Sequence, residues 1–389
     1  MNISNAIVVG GGIGGLSVAA AMARHGIAVT LLERAPVLGE VGAGLQVSPN
    51  GLAVLRALGL EAGLRRKEAV QGTAVVLRDH ATGAQVARLP LDRLPVNQRY
   101  FFVHRADLVD LLAGAARRGN VTFEMGAQVA SIRPGAIPQV QMTDGSTRRA
   151  ELVVAADGIH SVGRPVLNGP DAAAFSGQVA WRAIVANRFD HPPEAQVHMG
   201  TGRHLVSYPL RGGALVNLVA VQEQAGWAEE GWFHKDDPAH VQAAFSEFGG
   251  IAGAMLADVD MVTLWGLHLH PVAAQWQRQG VALLGDAAHP TLPFLAQGAN
   301  MALEDAWVLA EQAAKGYGDW LAGYQQRRQA RVIKVIAAAQ KNAARYHLPP
   351  GAKRSLAHFG LRLGSKLAPR RMIGAFDWLY GFDVTAQQP

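Results

Sequence analysis

The chain has 389 residues, of which 49% are apolar, 17% charged and 44 glycine, a balance that excludes a disordered polyelectrolyte and suits a compact enzyme with many tight turns. That length exceeds one ordinary core, so two domains or one enlarged α/β domain are expected, with room to bury a large cofactor. Net charge is +6 and cysteine is absent, which excludes disulfides, thiolate metal sites, a Cys nucleophile and cysteinyl flavin attachment while permitting a reducing compartment such as the cytoplasm.

The first element is "AIVVGGGIGGLSVAAAMARHGIAVTLLER", read as strand, glycine turn, helix and strand. It begins almost at once with no basic region ahead of an apolar core, so a structural strand is expected and not a signal peptide. Gly10-x-Gly12-x-x-Gly15, with Gly14 in the same loop, is the dinucleotide fingerprint. Gly10 permits the tight turn, Gly12 lets the backbone approach a pyrophosphate, and Gly15 lets helix and strand pack closely. Free N–H groups at the helix start face the phosphates, and Glu33, ending the second strand, can accept hydrogen bonds from ribose hydroxyls. This fingerprint alone fits FAD or NAD.

Next, "QGTAVVLRDHATGAQVARLP" alternates about Thr82-Gly83 and predicts an antiparallel hairpin, whereas "HRADLVDLLAGAARRG" has helical spacing. "ELVVAADG" is a short buried strand ending in Asp157-Gly158; "HLVSYPLRGGALVNLVAVQE" is a second hairpin about Gly212-Gly213; "VALLGDAAH" is a further buried strand, leading to Asp286. Helices are expected to dominate after 298. The predicted fold class is α/β: a Rossmann-like dinucleotide-binding domain from 1–70, 101–174 and 266–345, an inserted antiparallel β-sheet substrate domain from 71–100 and 175–265, and a C-terminal helical tail at 346–389. No run of about 18 apolar residues predicts a membrane span. From Lys341 onward eight Lys or Arg face two acids, Asp377 and Asp383, so the tail carries the whole net charge. It reads either as a solvated helical surface docked through Phe376, Trp378, Leu379 and Tyr380, or as a basic patch for an anionic membrane or nucleic acid.

The fingerprint, "DGIHSVGR" at Asp157–Arg164 and "GDAAHP" occur in this order at wide spacing. Together they resemble, over nearly the whole chain, the flavoprotein aromatic hydroxylases that carry one FAD, the group of salicylate hydroxylase, 3-hydroxybenzoate 6-hydroxylase and 6-hydroxynicotinate 3-monooxygenase. The resemblance implies non-covalent FAD. Glu33 and Arg34 would face the adenosine ribose, Arg105 the phosphate and ribityl region, and Val129 the adenine through its backbone. Asp157 would serve FAD and nicotinamide binding, with Arg164 of the same motif helping to position it. Asp286 would take the ribityl chain or phosphate, and the backbone of Gly298, Ala299 and Asn300 would meet the pyrimidine edge of the flavin. Gln46 is a candidate for the flavin rim. Asp286 also reads as a helix N-cap carboxylate, and His289 as a packed histidine that shapes its loop.

The resemblance further implies that NADH or NADPH visits transiently, since only one dinucleotide fingerprint is present, and that O2 supplies the oxygen through a flavin hydroperoxide. The implied reaction hydroxylates a small phenolic or hydroxypyridine-type aromatic acid. Ring activation calls for a base near the ring oxygen, and histidine has a suitable pKa. His204 and Tyr208 lie four apart on one predicted strand and so share a face; His204 is expected as base or hydrogen-bond partner and Tyr208 as its orienter, against a reading as an exposed histidine and a half-buried tyrosine. Pro293 and Phe294 would form a substrate wall, Phe294 standing where some relatives carry a polar residue. Arg182 reads as a carboxylate clamp or a sheet-surface arginine. His268 and His270 share a strand face but lack a third ligand, so no metal is expected. Expected partners are the small aromatic substrate and O2, with no nucleic acid, no stable membrane insertion, and a monomer or homodimer. Two alternatives remain: an FAD epoxidase or hydroxylase of a larger isoprenoid or quinone-like compound, and a non-catalytic flavin-binding redox sensor.

Overall fold

The computed structural model describes residues 3–39, 43–171, 173–226, 234–316 and 319–386. The outermost residues of the expected first and last segments and the stretch 227–233 of the expected substrate domain lie outside these. The strand Asn5–Val9 is the centre of a six-stranded sheet in which Leu152–Ala155 and Ala28–Glu33 flank it in parallel. Val281–Leu283 and Thr122–Met125 extend it on either side, also in parallel. Strands buried on both faces need no polar alternation, which is why "IVV", "LVVA" and "VALL" are nearly unbroken apolar runs. Their carboxyl ends lead directly into Gly10, Arg34, Ala156 and Leu284, so the motif loops converge on one edge of the sheet, where ligands of open α/β sheets bind.

The helix Ile13–Arg24 is buried along most of its length, with Ser17 through Met22 all inaccessible. It packs against both Arg105–Arg118 and Gly298–Lys315, and its run of small alanines allows neighbours on several sides. Gly10 and Gly15 are forced by close approach. A Cβ on Gly15 would lie 1.9 Å from the carbonyl oxygen of Gly10, and one on Gly10, whose φ is +103°, would lie 2.4 Å from that of Ala156.

The second sheet has eight strands. Val262–Leu269, Ala174–Ala186, Leu215–Glu223, Arg203–Leu210 and Glu194–Gly200 run consecutively across it, with Ala74–Asp79 and Gln85–Pro90 at one edge. The two predicted hairpins form. The pairing is not wholly antiparallel, however: Glu194–Gly200 lies parallel to Ala74–Asp79, because these strands come from distant parts of the chain and no hairpin dictates their direction. Helices Pro238–Ala244 and Gly250–Ala257 cover one face through Phe245, Met255 and Leu256 against Trp181, Leu205 and Leu218. The opposite face looks toward the FAD-binding half.

Helices dominate after 298, as predicted. Trp320–Tyr346 packs on Gly298–Lys315, and the tail folds back through Leu379 and Tyr380, which are buried, with Phe376 stacked on Tyr380 at 5.6 Å. Helix Ala352–Leu367 keeps Leu356, Phe359, Leu363 and Leu367 exposed. No described helix is long and apolar enough to cross a membrane.

Four charges meet where these last helices cross. Arg328 is fully buried and contacts Glu304 at 2.5 Å and Asp305 at 2.7 Å, while Arg331 pairs with Glu304 at 2.8 Å. Burial opposes charge on both acids, but Arg328, together with Arg331 at Glu304 and His289 at Asp305, overcomes it and holds both below the ordinary carboxylate range. Replacing Arg328→Met removes the one partner the two carboxylates share, leaving Glu304 with Arg331 and Asp305 with His289, and is expected to destabilise the fold by about 3–5 kcal/mol, read by urea unfolding. Since the folded pKa values are depressed, the native network contributes fully above the unfolded values, near 4.5 and 3.8, and is lost as pH falls through the lower folded ones. Unfolding at a series of acidic pH values should show a steeper loss for the native protein than for the variant.

Candidate active site

The glycine turn opens the cofactor cleft. A Cβ on Gly12 would meet nothing within 4 Å, so there is open space at the turn, and neither Ile13–Arg24 nor Gly298–Lys315 carries an acid in its first turn. Both helix starts therefore keep their positive potential for an anion. Gly14 abuts the Leu284 side chain, tying the turn to the Asp286 loop. Glu33 lies at the end of its strand, where Oε2 accepts from Gly11 N at 2.6 Å and Oε1 from Ala35 N at 2.8 Å. It thus clamps the glycine loop, and each oxygen keeps a second lone pair for a ribose hydroxyl. Arg34 is exposed beside it. Ala127 N donates to Glu33 O at 2.8 Å, which brings Val129, at the start of the strand Val129–Arg133, to the same end.

Asp286 is accessible from the cleft, yet enough protein surrounds it that desolvation raises its pKa against the pull of His289 and Arg105. It caps no helix: Gln297 precedes Gly298–Lys315, and that cap carries no side-chain bond. Arg105 opens its helix, anchored by its backbone N–H to Ala43 O at 2.9 Å, close enough to Asp286 to feel its charge. Asp157 Oδ2 accepts from Val162 N at 2.8 Å, and its buried Oδ1 has no hydrogen-bond partner among the described residues. Arg164 is buried and donates to Ala288 O at 3.0 Å and Pro271 O at 2.6 Å while pairing with Asp171, so it locks the loop that carries Asp286. His289 is a packed residue, with Nε2 2.5 Å from Asp305 Oδ2 and its ring 5.0 Å from that of Trp276.

Gly298 and Ala299 begin their helix, leaving N–H groups that helical bonding cannot satisfy. The Asn300 side chain is buried and works as a clamp, its Oδ1 accepting from Ser48 N at 3.1 Å and its Nδ2 donating to Gln46 O at 2.9 Å. Gln46 Oε1 accepts from the Tyr100 hydroxyl at 2.7 Å.

The large sheet supplies the facing wall. Residues opposite one another on neighbouring strands share a face, giving three rows: His204, Val221, Ala180 and Trp265; Val206, Val219, Arg182 and Thr263; Tyr208, Asn217 and Ile184. Phe294 and Leu292 pack against this face, and Pro293 begins the short helical turn Pro293–Leu295. The third row touches the cofactor half directly. Asn217 Oδ1 accepts from Gly44 N at 2.7 Å, and a Cβ on Gly44 would lie 2.6 Å from the Tyr208 ring. Arg182 is enclosed, its guanidinium 4.6 Å from the Trp265 ring. Burial pulls its pKa down to about 10, so it remains a cation at neutral pH. Arg182 is thus half-buried on the sheet face that looks toward the cofactor half.

His204 and Tyr208 share the face, as the spacing predicted, but four residues of strand separate them by about 13 Å. His204 is buried, and its Nδ1 lies 2.7 Å from His347 Nε2. Tyr208 instead packs on Phe102 at 5.2 Å. The residue at the His204 ring nitrogen is therefore His347, from just beyond the long helix. Burial and then His347 push the His204 pKa well below its ordinary value.

Residues 4–339 match the family described as an FAD binding domain. The chain is 34% identical to the 3-amino-4-hydroxybenzoate 2-monooxygenase PtnB3 of Streptomyces platensis, over 97% of this chain and 96% of that one. It is 34% identical to the 3-hydroxybenzoate 6-hydroxylase of Polaromonas naphthalenivorans over the same shares. The chain belongs to the FAD-dependent aromatic hydroxylases. A solved structure of Klebsiella pneumoniae HpxO with FAD and uric acid, 26% identical, superposes with a TM-score of 0.80 over 95% of both chains.

The cleft fits the cofactor of this hydroxylase family, which draws its electrons from NADH or NADPH. The open turn at Gly12, the accessible Asp286 carboxylate and the unspent acceptor on Asp157 are what a pyrophosphate and a polyhydroxylated chain require. Sequence reasoning missed Asn217, His347, Glu304 and Arg328. Adjacent acids inside the apolar "NMALEDAWVLA" were a signal of a buried ion network; nothing in "ARYHLPP" marked His347. Among the described residues no group of three His, Cys, Asp or Glu is placed to hold a metal. Substituting Asp286→Ala is expected to weaken FAD binding about ten- to a hundred-fold, the loss of one or two hydrogen bonds to a charged acceptor, measured by flavin fluorescence on dilution.

Proposed function

We propose that this hydroxylase acts on a small phenolic or hydroxypyridine acid, using O2 and one equivalent of NADH or NADPH. The observation that carries this reading is the enclosed wall of His204, Val206, Val219 and Trp265 with one cation, Arg182, set among them. An aromatic ring is at home on the apolar rows, and a guanidinium held over Trp265 matches a carboxylate in a bidentate fork. The relatives' substrates, which combine a ring hydroxyl with a carboxylate, favour the same chemistry over a larger isoprenoid and over a non-catalytic sensor.

FAD, when bound, supplies the electrons and activates the oxygen. The chain's own residues bind and orient the ring: Arg182 takes the carboxylate, Phe294 and Trp265 hold the ring plane, and His204 accepts the proton of the ring hydroxyl. Removing that proton raises electron density at the carbons to be attacked. Phe294 closes the pocket without relaying a proton, and the apolar rows exclude water. Tyr208, packed on Phe102, holds the sheet against the cofactor half. The same reading has the protein work in the cytoplasm, where reduced pyridine nucleotides are available, as a monomer or homodimer.

NADH and NADPH oxidation by the FAD-loaded protein, screened against hydroxybenzoates, aminohydroxybenzoates and hydroxynicotinates with product masses recorded, tests this. A compound that both accelerates oxidation and gains one oxygen atom is expected; a panel with neither would sink the reading. With that compound, His204→Ala should slow hydroxylation far more than flavin reduction. Arg182→Leu should raise KM at least about tenfold for the acid and little for its amide, read from initial rates.

A further inference from the structure

His204 does not end the chain of titratable groups. His347 Nε2 lies 2.7 Å from its Nδ1, and His347 Nδ1 lies 2.8 Å from Glu223 Oε1. Two of the groups are buried and the third is exposed: the His204 residue is 1% accessible, the His347 side chain 2% and that of Glu223 55%. They run from the pocket face of the sheet to bulk water. Glu223 ends the strand Leu215–Glu223, with its backbone N–H held by Gly202 O at 2.8 Å, and His347 follows the last residue of Trp320–Tyr346. We propose that His347 and Glu223 are a proton exit for the pocket, carrying the substrate's hydroxyl proton from His204 to solvent. This rests on the phenolic-substrate reading given above.

The order of donors follows from the end of the chain. An ionised carboxylate only accepts, so His347 carries its proton on Nδ1 and leaves Nε2 as an acceptor. His204 must then donate from Nδ1, which leaves its Nε2 bare. Glu223 thus sets, from two residues away, the tautomer in which His204 can take a proton.

The transfer balances without any redox change. The substrate O–H bond breaks as an N–H bond forms at His204 Nε2. The Nδ1 proton of His204 moves to His347 Nε2, that on His347 Nδ1 moves to Glu223 Oε1, and Glu223 releases it to water. Both imidazoles end neutral in the opposite tautomer, and the reverse passage, which reprotonates the product's oxygen, restores them. A simple base at His204 would have to hold a cation in a buried apolar setting, which is costly; passing the proton through avoids that charge. The pKa directions agree. His204 is depressed by burial and by His347; His347 is depressed by burial despite the opposing pull of Glu223. The groups facing His204 are His347, the rings of Tyr346 and Phe294, and no acid among the described contacts; Arg345 lies beside Tyr346 and bears on its hydroxyl.

The first test needs no substrate. In the FAD-loaded protein with 15N-labelled histidine, His204 and His347 are expected as neutral rings protonated on Nδ1 at pH 7. A proton on His204 Nε2 would overturn the relay, whether or not a substrate is known. The second test follows proton release with an indicator dye when a phenolic acid binds. Glu223→Gln can still accept the His347 hydrogen bond but cannot take the proton, so release should slow at least about tenfold with FAD loading intact. His347→Phe should do the same, and His347→Ala should be accelerated by added imidazole. Native release rates in both Glu223→Gln and His347→Phe would refute the proposal. If no phenolic acid binds the native protein, the substrate reading fails, while the histidine tautomers still judge the relay.

Discussion

Arg328, buried without access to water between Glu304 and Asp305, holds the cofactor side of the molecule in register. Asp305 also accepts from Gly285 N at 3.3 Å and contacts His289, which fixes the loop that carries Asp286. Glu304 accepts from Asn50, whose amide also reaches Gln297 at 3.1 Å, just ahead of the Gly298 turn. One guanidinium therefore connects the Asp286 loop, the helix start and, through Asn50 and Ser48, the strand bearing Gln46. Such a cluster gains little over an apolar core of equal volume, but removing one partner leaves buried charge. That makes the arrangement specific even where it adds little net stability.

The long helix that supplies Arg328 extends about 28 Å further to His347, so it ties the cofactor cleft to the His204 end of the large sheet. The same element that pairs with Asp305 beside the Asp286 loop delivers the imidazole that contacts His204. A shift of this helix would alter both at once. The two halves meet a second time through Gly44, Asn217 and Tyr208, where backbone and ring are too close for any side chain at Gly44. The large sheet and the cofactor cleft are thus joined through His347 beyond the long helix at one place and by a glycine contact at another.

Much of the cofactor cleft was legible in the amino-acid order. Gly10, Gly12 and Gly15 lie in the turn and helix start that follow the first strand, Glu33 ends the second, and Asp286 follows Val281–Leu283; contacts between a strand and what immediately follows it are local in sequence. The hairpins about Thr82-Gly83 and Gly212-Gly213 were legible for the same reason. The parallel pairing of Glu194–Gly200 with Ala74–Asp79 was not, because strands so far apart in the chain carry no turn that states their direction. Tyr208 illustrates the limit of periodicity: spacing placed it on the His204 face but could not say that Phe102 and Gly44, from another sheet, would claim it.

Local order of residues was enough to indicate an α/β dinucleotide fold and its phosphate turn, because each depends on a strand, a turn and a helix in immediate succession; the flavin-hydroxylase character was legible only as a resemblance carried by three motifs spread along the chain. Which groups share the substrate wall was settled only by folding. His204 and His347 lie 143 positions apart, and Arg328 and Asp305 belong to different helices. Charge compensation and the contact between the two imidazoles both arise from such long-range pairs. They come into being when apolar faces pack, and no periodicity along the chain encodes which partner will be found there.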